Sequence, residues 1–112
     1  MAREGWSREM KKGSVQLCIL SLLGEDRKYG FQVIRELKER SGGYLVLKDG
    51  TLYPALHRME KKGLIVSEWI VEDDKPRRYY AITDAGREAL EEGKAEWLKM
   101  SSSVRGVLGV TD

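Results

Sequence analysis

The chain has one cysteine, one histidine, one phenylalanine and two prolines among 112 residues. Cys18 alone can form no internal disulfide, and together with His57 it supplies too few ligands for a Cys/His metal site within one chain. A serine–histidine–acid triad would have to use His57, and no glycine-rich phosphate loop is present, so little remains from which to build an enzyme. No apolar run reaches the roughly 20 residues that a membrane helix needs. The candidate around Val15–Leu23 is interrupted by Gln16 and Ser21. The long apolar stretch of a secretory signal is also missing near the N-terminus, which predicts a cytoplasmic location.

What is present suits one soluble domain: 41% hydrophobic and 34% charged residues, without repeats or low-complexity tracts. A chain of this length buries about two-thirds of its unfolded surface, enough for one modest core. The net charge of +2 is unevenly spread. Residues 1–47 carry 9 basic and 6 acidic side chains and residues 48–63 carry 4 and 2, whereas residues 83–112 carry 4 and 6. The front of the chain therefore favours an anionic partner.

The order of elements is more informative than the charge. A polar lead-in containing Trp6 and Met10, capped by Ser7, precedes Ser14, a good N-cap for the run VQLCILSLL, which stops at Gly24. Apolar residues nearly encircle that run, the pattern of a central buried helix, and Cys18 reads there as a small core residue. Tyr29–Arg40 is amphipathic, with Phe31, Val33, Ile34 and Leu37 on one side, and it ends at Ser41-Gly42-Gly43. Tyr44–Leu47 is β-prone, a brief strand or an extended connector. Pro54 belongs in the first turn of a third helix, which places the helix start within about four residues before it and makes Asp49 or Gly50 the cap. This helix runs to Lys62 and stops at Gly63. It turns Leu52, Ala55, Leu56 and Met59 to one face and His57 and Lys61, flanked by Tyr53 and Arg58, to the other.

The period then changes. Leu64–Val71 and Arg77–Ile82 are β-type runs joined by Glu72-Asp73-Asp74-Lys75-Pro76, which reads as a β-hairpin. Tyr79 and Tyr80 point to opposite faces, one to the core and one outward. Thr83 caps a final helix from Asp84 to about Leu108. The predicted fold is thus mainly α with a two-stranded β wing: a winged helix-turn-helix over residues 1–83, followed by a long C-terminal dimerisation helix and tail over residues 84–112. A helix with one dry face and one polar, cationic face fits a major groove about 12 Å wide. The hairpin residues Lys75, Arg77 and Arg78 can reach the flanking backbone. The acidic tip, Glu72 to Asp74, disfavours a wing lying flat on phosphates and leaves contact to its base, Arg77 and Arg78.

Several strings in this order resemble one family. They are Tyr29-Gly30-Phe31-Gln32-Val33-Ile34, Asp49-Gly50-Thr51-Leu52-Tyr53-Pro54-Ala55-Leu56, Met59-Glu60-Lys61-Lys62-Gly63-Leu64-Ile65 and Arg77-Arg78-Tyr79-Tyr80-Ala81-Ile82-Thr83. The chain resembles the PadR family of transcriptional regulators over residues 11–108, in its small, short-tailed branch. The resemblance implies a homodimeric repressor of double-stranded operator DNA, with the last helix exchanged between protomers. Carried onto this chain, it makes Tyr29, Thr51, Tyr53, Lys61 and Arg77 DNA-facing; His57 and Arg78 join them from the helix face and the hairpin. Asp49 stands in the approach to the third helix, where it would repel phosphate unless it caps the helix.

The last helix explains the dimer physically. Twenty-five residues form a rod of roughly 37 Å, too long for a head of this size to cover. Its seam of Leu90, Trp97, Met100, Val104, Val107 and Leu108 would stay exposed in a monomer, and such patches mark partners. Trp97, near the middle, can meet its symmetry mate and stack on a planar aromatic effector, or simply fill the dimer core. Gly93 and Gly106 allow close helix crossing or a kink. No metal and no cofactor is expected. The competing reading is a winged-helix module that docks on protein instead of DNA.

Overall fold

The computed structural model describes the backbone of residues 2–110 and the side chains of residues 5–110. Its elements are α1 (Ala2–Lys12), α2 (Val15–Glu25), β1 (Lys28–Tyr29), α3 (Gly30–Arg40), α4 (Asp49–Lys61), β2 (Ile65–Glu72), β3 (Lys75–Ile82) and α5 (Asp84–Leu108). The core gathers around α2, whose Ile19, Leu20, Leu22 and Leu23 are all buried. Val33 and Leu37 of α3, Leu52, Leu56 and Met59 of α4, Ile65 of β2 and Tyr80 of β3 close on it. Cys18 is partly buried against this cluster, and desolvation pushes its thiol pKa up. None of the helices in the described residues is long and apolar enough to cross a membrane.

The sheet has three strands, not two, in the order β1-β3-β2, all antiparallel. The added strand is two residues long and pairs Lys28 with Tyr80 and Tyr29 with Tyr79. Two residues carry no periodicity to read; pairing with a distant strand makes them β. Lys28 is buried there, which a charged side chain tolerates only when paired, and its Nζ lies 3.1 Å from Glu36 Oε1.

The hairpin turn is also tighter than the sequence suggests. Only Asp73 and Asp74 form it, both left-handed at φ 50° and 61°, as a two-residue primed turn requires. Aspartate tolerates that region better than most residues. Lys75 and Pro76 accordingly belong to β3. Pro76 lies beyond the reach of β1, on an edge where a missing N–H is harmless.

Two local readings change, and the open choice at Tyr44–Leu47 resolves to the second of its alternatives. Ser7 lies inside α1 instead of capping it. Ser14 occupies the N-cap position of α2, but its hydroxyl donates to the Met10 carbonyl at 3.4 Å instead of capping. Tyr44–Leu47 is an extended connector, held where Leu45 N–H donates to Ser41 Oγ at 2.8 Å.

Thr83 caps α5 as expected, its Oγ1 accepting from Gly86 N–H at 3.0 Å. The same hydroxyl donates to the Gly63 carbonyl at 2.6 Å, and Thr83 N–H donates to the Leu64 carbonyl at 3.0 Å. The root of α5 is thereby tied to the segment that ends α4. Beyond its root α5 projects from the head, and the molecule measures 54 × 32 × 23 Å.

Candidate nucleic-acid interface

Helix α4 is split as the sequence suggests. Leu52, Ala55, Leu56 and Met59 are buried, while Thr51, Tyr53, Pro54, His57, Arg58 and Lys61 are exposed. Its N-cap is Lys48, not Asp49 or Gly50. Asp49 therefore takes the first helical position, at the positive end of the dipole, where a carboxylate is favourable. Pro54 is consequently five residues past the helix start and removes the bond that residue 54 would make to the Gly50 carbonyl, on the exposed side.

Tyr53 leans onto the start of α3. A Cβ at Gly30 would overlap the Tyr53 phenol, with Cε1 2.9 Å away. Glycine at position 30 is what lets α4 and the N-terminus of α3 approach this closely. That N-terminus is closed by Tyr29 N–H donating to Gln32 Oε1 at 3.0 Å. The Tyr29 ring meets Tyr79 edge-on with centroids 5.4 Å apart, and the Arg77 guanidinium lies over Tyr29 at 4.7 Å. The Tyr79 hydroxyl donates to Glu72, which, with burial, raises its pKa. Of the expected contact residues, Tyr29 and Arg77 thus form one aromatic–cationic cluster at the wing, while Thr51, Tyr53, His57 and Lys61 share the open side of α4.

Arg78 is differently placed. Its Nη2 lies 3.5 Å from Glu60 Oε1 on α4, and its Nε donates to Ser67 Oγ at 3.0 Å. Between α3, α4 and the wing runs a groove of about 430 Å³ lined by Phe31, Tyr53, Trp69 and Arg77. Phe31 and Trp69 are 62% and 66% exposed, and the sequence reading assigned neither to the interface. For Trp69 the available signal was its place in the alternation Ser67, Trp69, Val71, which puts it on the strand face shared with Ile65.

The expected dimer seam divides. Leu90 is only 6% exposed and packs in the protomer's own core. This corrects its assignment to the dimer interface, because the α2–α5 contact has already buried it. Gly93 belongs to the same contact: a Cβ there would stand 2.6 Å from Leu17 Cδ1. Trp97, Met100, Val104, Val107 and Leu108 remain exposed on the projecting part of α5, and so does Leu98. Trp6 and Met10 are exposed on α1. Trp97 and Met100 line a groove of about 560 Å³ whose other wall is Gln16, Leu17 and Leu20 of α2.

Comparison with known proteins agrees with this architecture. The model of the transcriptional regulator PadR-like family matches residues 19–92. The transcriptional regulator Rv3488 of Mycobacterium tuberculosis is 40% identical over 99 residues, covering 88% of this chain and 90% of the relative. The crystal structure of a PadR family transcriptional regulator from Eggerthella lenta superposes with a TM-score of 0.86 at 30% identity, covering 98% and 95% of the two chains. A PadR-like transcriptional regulator from Bacillus cereus gives a TM-score of 0.80 at 35% identity, covering 89% and 96%. With a family match over most of its length, a winged helix and a long C-terminal helix, the chain belongs to the PadR-like family of transcriptional regulators, which are not enzymes.

Proposed function

We propose that the protein binds double-stranded operator DNA as a homodimer and represses transcription. Residues 1–83 act as the DNA-binding domain and residues 84–112 as the dimerisation helix and tail. Helix α4 enters the major groove, presenting Thr51, Tyr53, His57 and Lys61, and Tyr29 and Arg77 meet the adjacent phosphates. The observation that carries this reading is the pairing, in one head, of a recognition helix with an uncovered polar face and a cationic wing root beside it. The exposed end of α5 supports the dimer, since a rod bearing Trp97, Met100, Val104, Val107 and Leu108 needs an apolar partner. Two-fold pairing would set two recognition helices about 34–36 Å apart, one turn of duplex.

The groove beside Trp97 suits a small planar aromatic effector, which would relieve repression by changing the spacing of the heads. Fluorescence anisotropy on duplexes tiled across the protein's own promoter region tests the DNA reading, and sedimentation equilibrium tests the dimer. Salt-dependent binding at sub-micromolar protein and a mass of two chains are expected. A mass of one chain, or no salt-dependent binding near micromolar protein, overturns the reading.

A further inference from the structure

Arg77 and Arg78 are neighbours in β3 and leave the strand on opposite faces. Arg77 shares its face with Tyr79 and lies over Tyr29. Arg78 shares the other with Tyr80 and with Trp69, its register partner across the hairpin. There it closes a ring of contacts onto the recognition helix. Its Nη2 is 3.5 Å from Glu60 Oε1, its Nε donates to Ser67 Oγ at 3.0 Å, and that hydroxyl donates to Glu60 Oε2 at 2.8 Å. The Trp69 and Tyr80 rings flank the guanidinium at 6.0 and 5.7 Å.

We propose that Arg78 is a positioning residue: it fastens the wing to α4 and sets the angle between them, and it does not itself hold a phosphate. The inference rests on the DNA-binding reading above. Three observations carry it. Firstly, buried contacts between hairpin and head end at Ile65 and Tyr80, and every residue from Val71 to Pro76 is exposed. On the α4 side, the ring through Glu60 is what holds the outer wing to the head. Secondly, Glu60 adjoins Lys61 and is the acidic side chain on the recognition helix nearest the wing. A phosphate that took Arg78 would leave that carboxylate facing DNA without its counter-charge. Thirdly, the contacts use the guanidinium as a fork, one arm to a carboxylate and one to a hydroxyl, which a lysine ammonium does not reproduce.

The two roles predict opposite signs for one substitution. E60Q removes a negative charge beside the DNA. If Arg78 grips phosphate, E60Q frees it and binding tightens; if Arg78 positions the wing, E60Q weakens binding. The experiment is a salt titration of operator binding by anisotropy for the full-length wild type, E60Q, R78K, R78Q and the charge exchange E60R/R78E, with R77Q for comparison and folding checked by circular dichroism. E60Q, R78K and R78Q should each lose about tenfold in affinity, the scale of one charged hydrogen bond, with the slope of log K against log salt unchanged. The exchange variant should recover most of that loss, and it keeps the test alive should a single variant unfold. R77Q should lower the slope by about 0.9 per protomer.

Tighter binding by E60Q, or R78K binding like wild type while R78Q loses slope, overturns the positioning role and leaves the DNA reading standing. A wild type that shows no salt-dependent binding overturns both.

Discussion

Gly86→Ala offers a sharp test of the packing at the root of α5. Gly86 is buried in the first turn of that helix. A methyl group there would overlap the Leu64 carbonyl oxygen and stand 2.7 Å from Ile82 Cγ1. The carbonyl is backbone and already accepts from Thr83 N–H at 3.0 Å, so it has no freedom to yield. Overpacking of this kind costs about 1–3 kcal/mol, at the upper end when backbone must move. Alanine's better helix propensity returns about 1 kcal/mol. The net loss is about 2 kcal/mol, a large share of the roughly 5–15 kcal/mol that holds a domain together. For a chain of this length each kcal/mol moves Tm by about 4–8 °C, so Gly86→Ala should melt roughly 8–16 °C below wild type. Gly50→Ala is the control, because its Cβ meets nothing within 4 Å. It should match wild type or exceed it, by at most about 1 kcal/mol. Thermal and urea unfolding at matched protein concentration measure both. A Gly86→Ala protein as stable as wild type would show that α5 does not leave the head along the described path.

Four further outcomes follow from the same geometry. Lys61→Ala and Arg77→Ala should each weaken operator binding across sequences and lower the salt slope by about 0.9 per protomer, read by anisotropy between low and moderate salt. Leu90→Ala should cost about 2–5 kcal/mol in urea unfolding by opening a core cavity, while Met100→Ala and Val104→Ala should act on the monomer–dimer equilibrium in sedimentation. Trp97→Ala should abolish any quenching of tryptophan fluorescence by planar aromatic compounds that is assigned to this groove; quenching that persists refers it to Trp6 or Trp69. Burial raises the Cys18 thiol pKa, so the protonated form is favoured at neutral pH. Its alkylation should be slow there, accelerate only as pH rises past the ordinary thiol range, and reach the free-cysteine rate in urea.

Much of the fold was legible because strong local signals coincide with it. The encircling apolar residues of α2, the one-sided α4, the β-branched runs of the hairpin and the Thr83 cap each act within a few residues of themselves. What was not legible depends on distant partners. Lys28 and Tyr29 become a strand only because β3 offers an edge. Asp73 and Asp74 form the turn alone because register pulls Lys75 and Pro76 into pairing. The seven-residue spacing that joins Leu90 to Trp97 and Val104 is real, yet spacing does not reveal that α2 covers the first of them and leaves the others bare. The candidate site shows the same division. The exposed side of α4 and the cationic wing root were readable. The closeness of Tyr53 to Gly30 and the commitment of Arg78 to Glu60 were not, because each joins elements far apart in sequence.

Thr83 carries a consequence for how such a regulator can be controlled. One side chain and one amide link the start of the rod to Gly63 and Leu64, the residues that follow the recognition helix. These bonds hold the root of α5 directly against the segment that ends α4. A torque on the rod near its root therefore turns the reading head as one piece, like a key turned by its shank. On the proposed DNA-binding reading, a change imposed on the tail would re-aim the whole head and leave the exposed face of α4 unaltered.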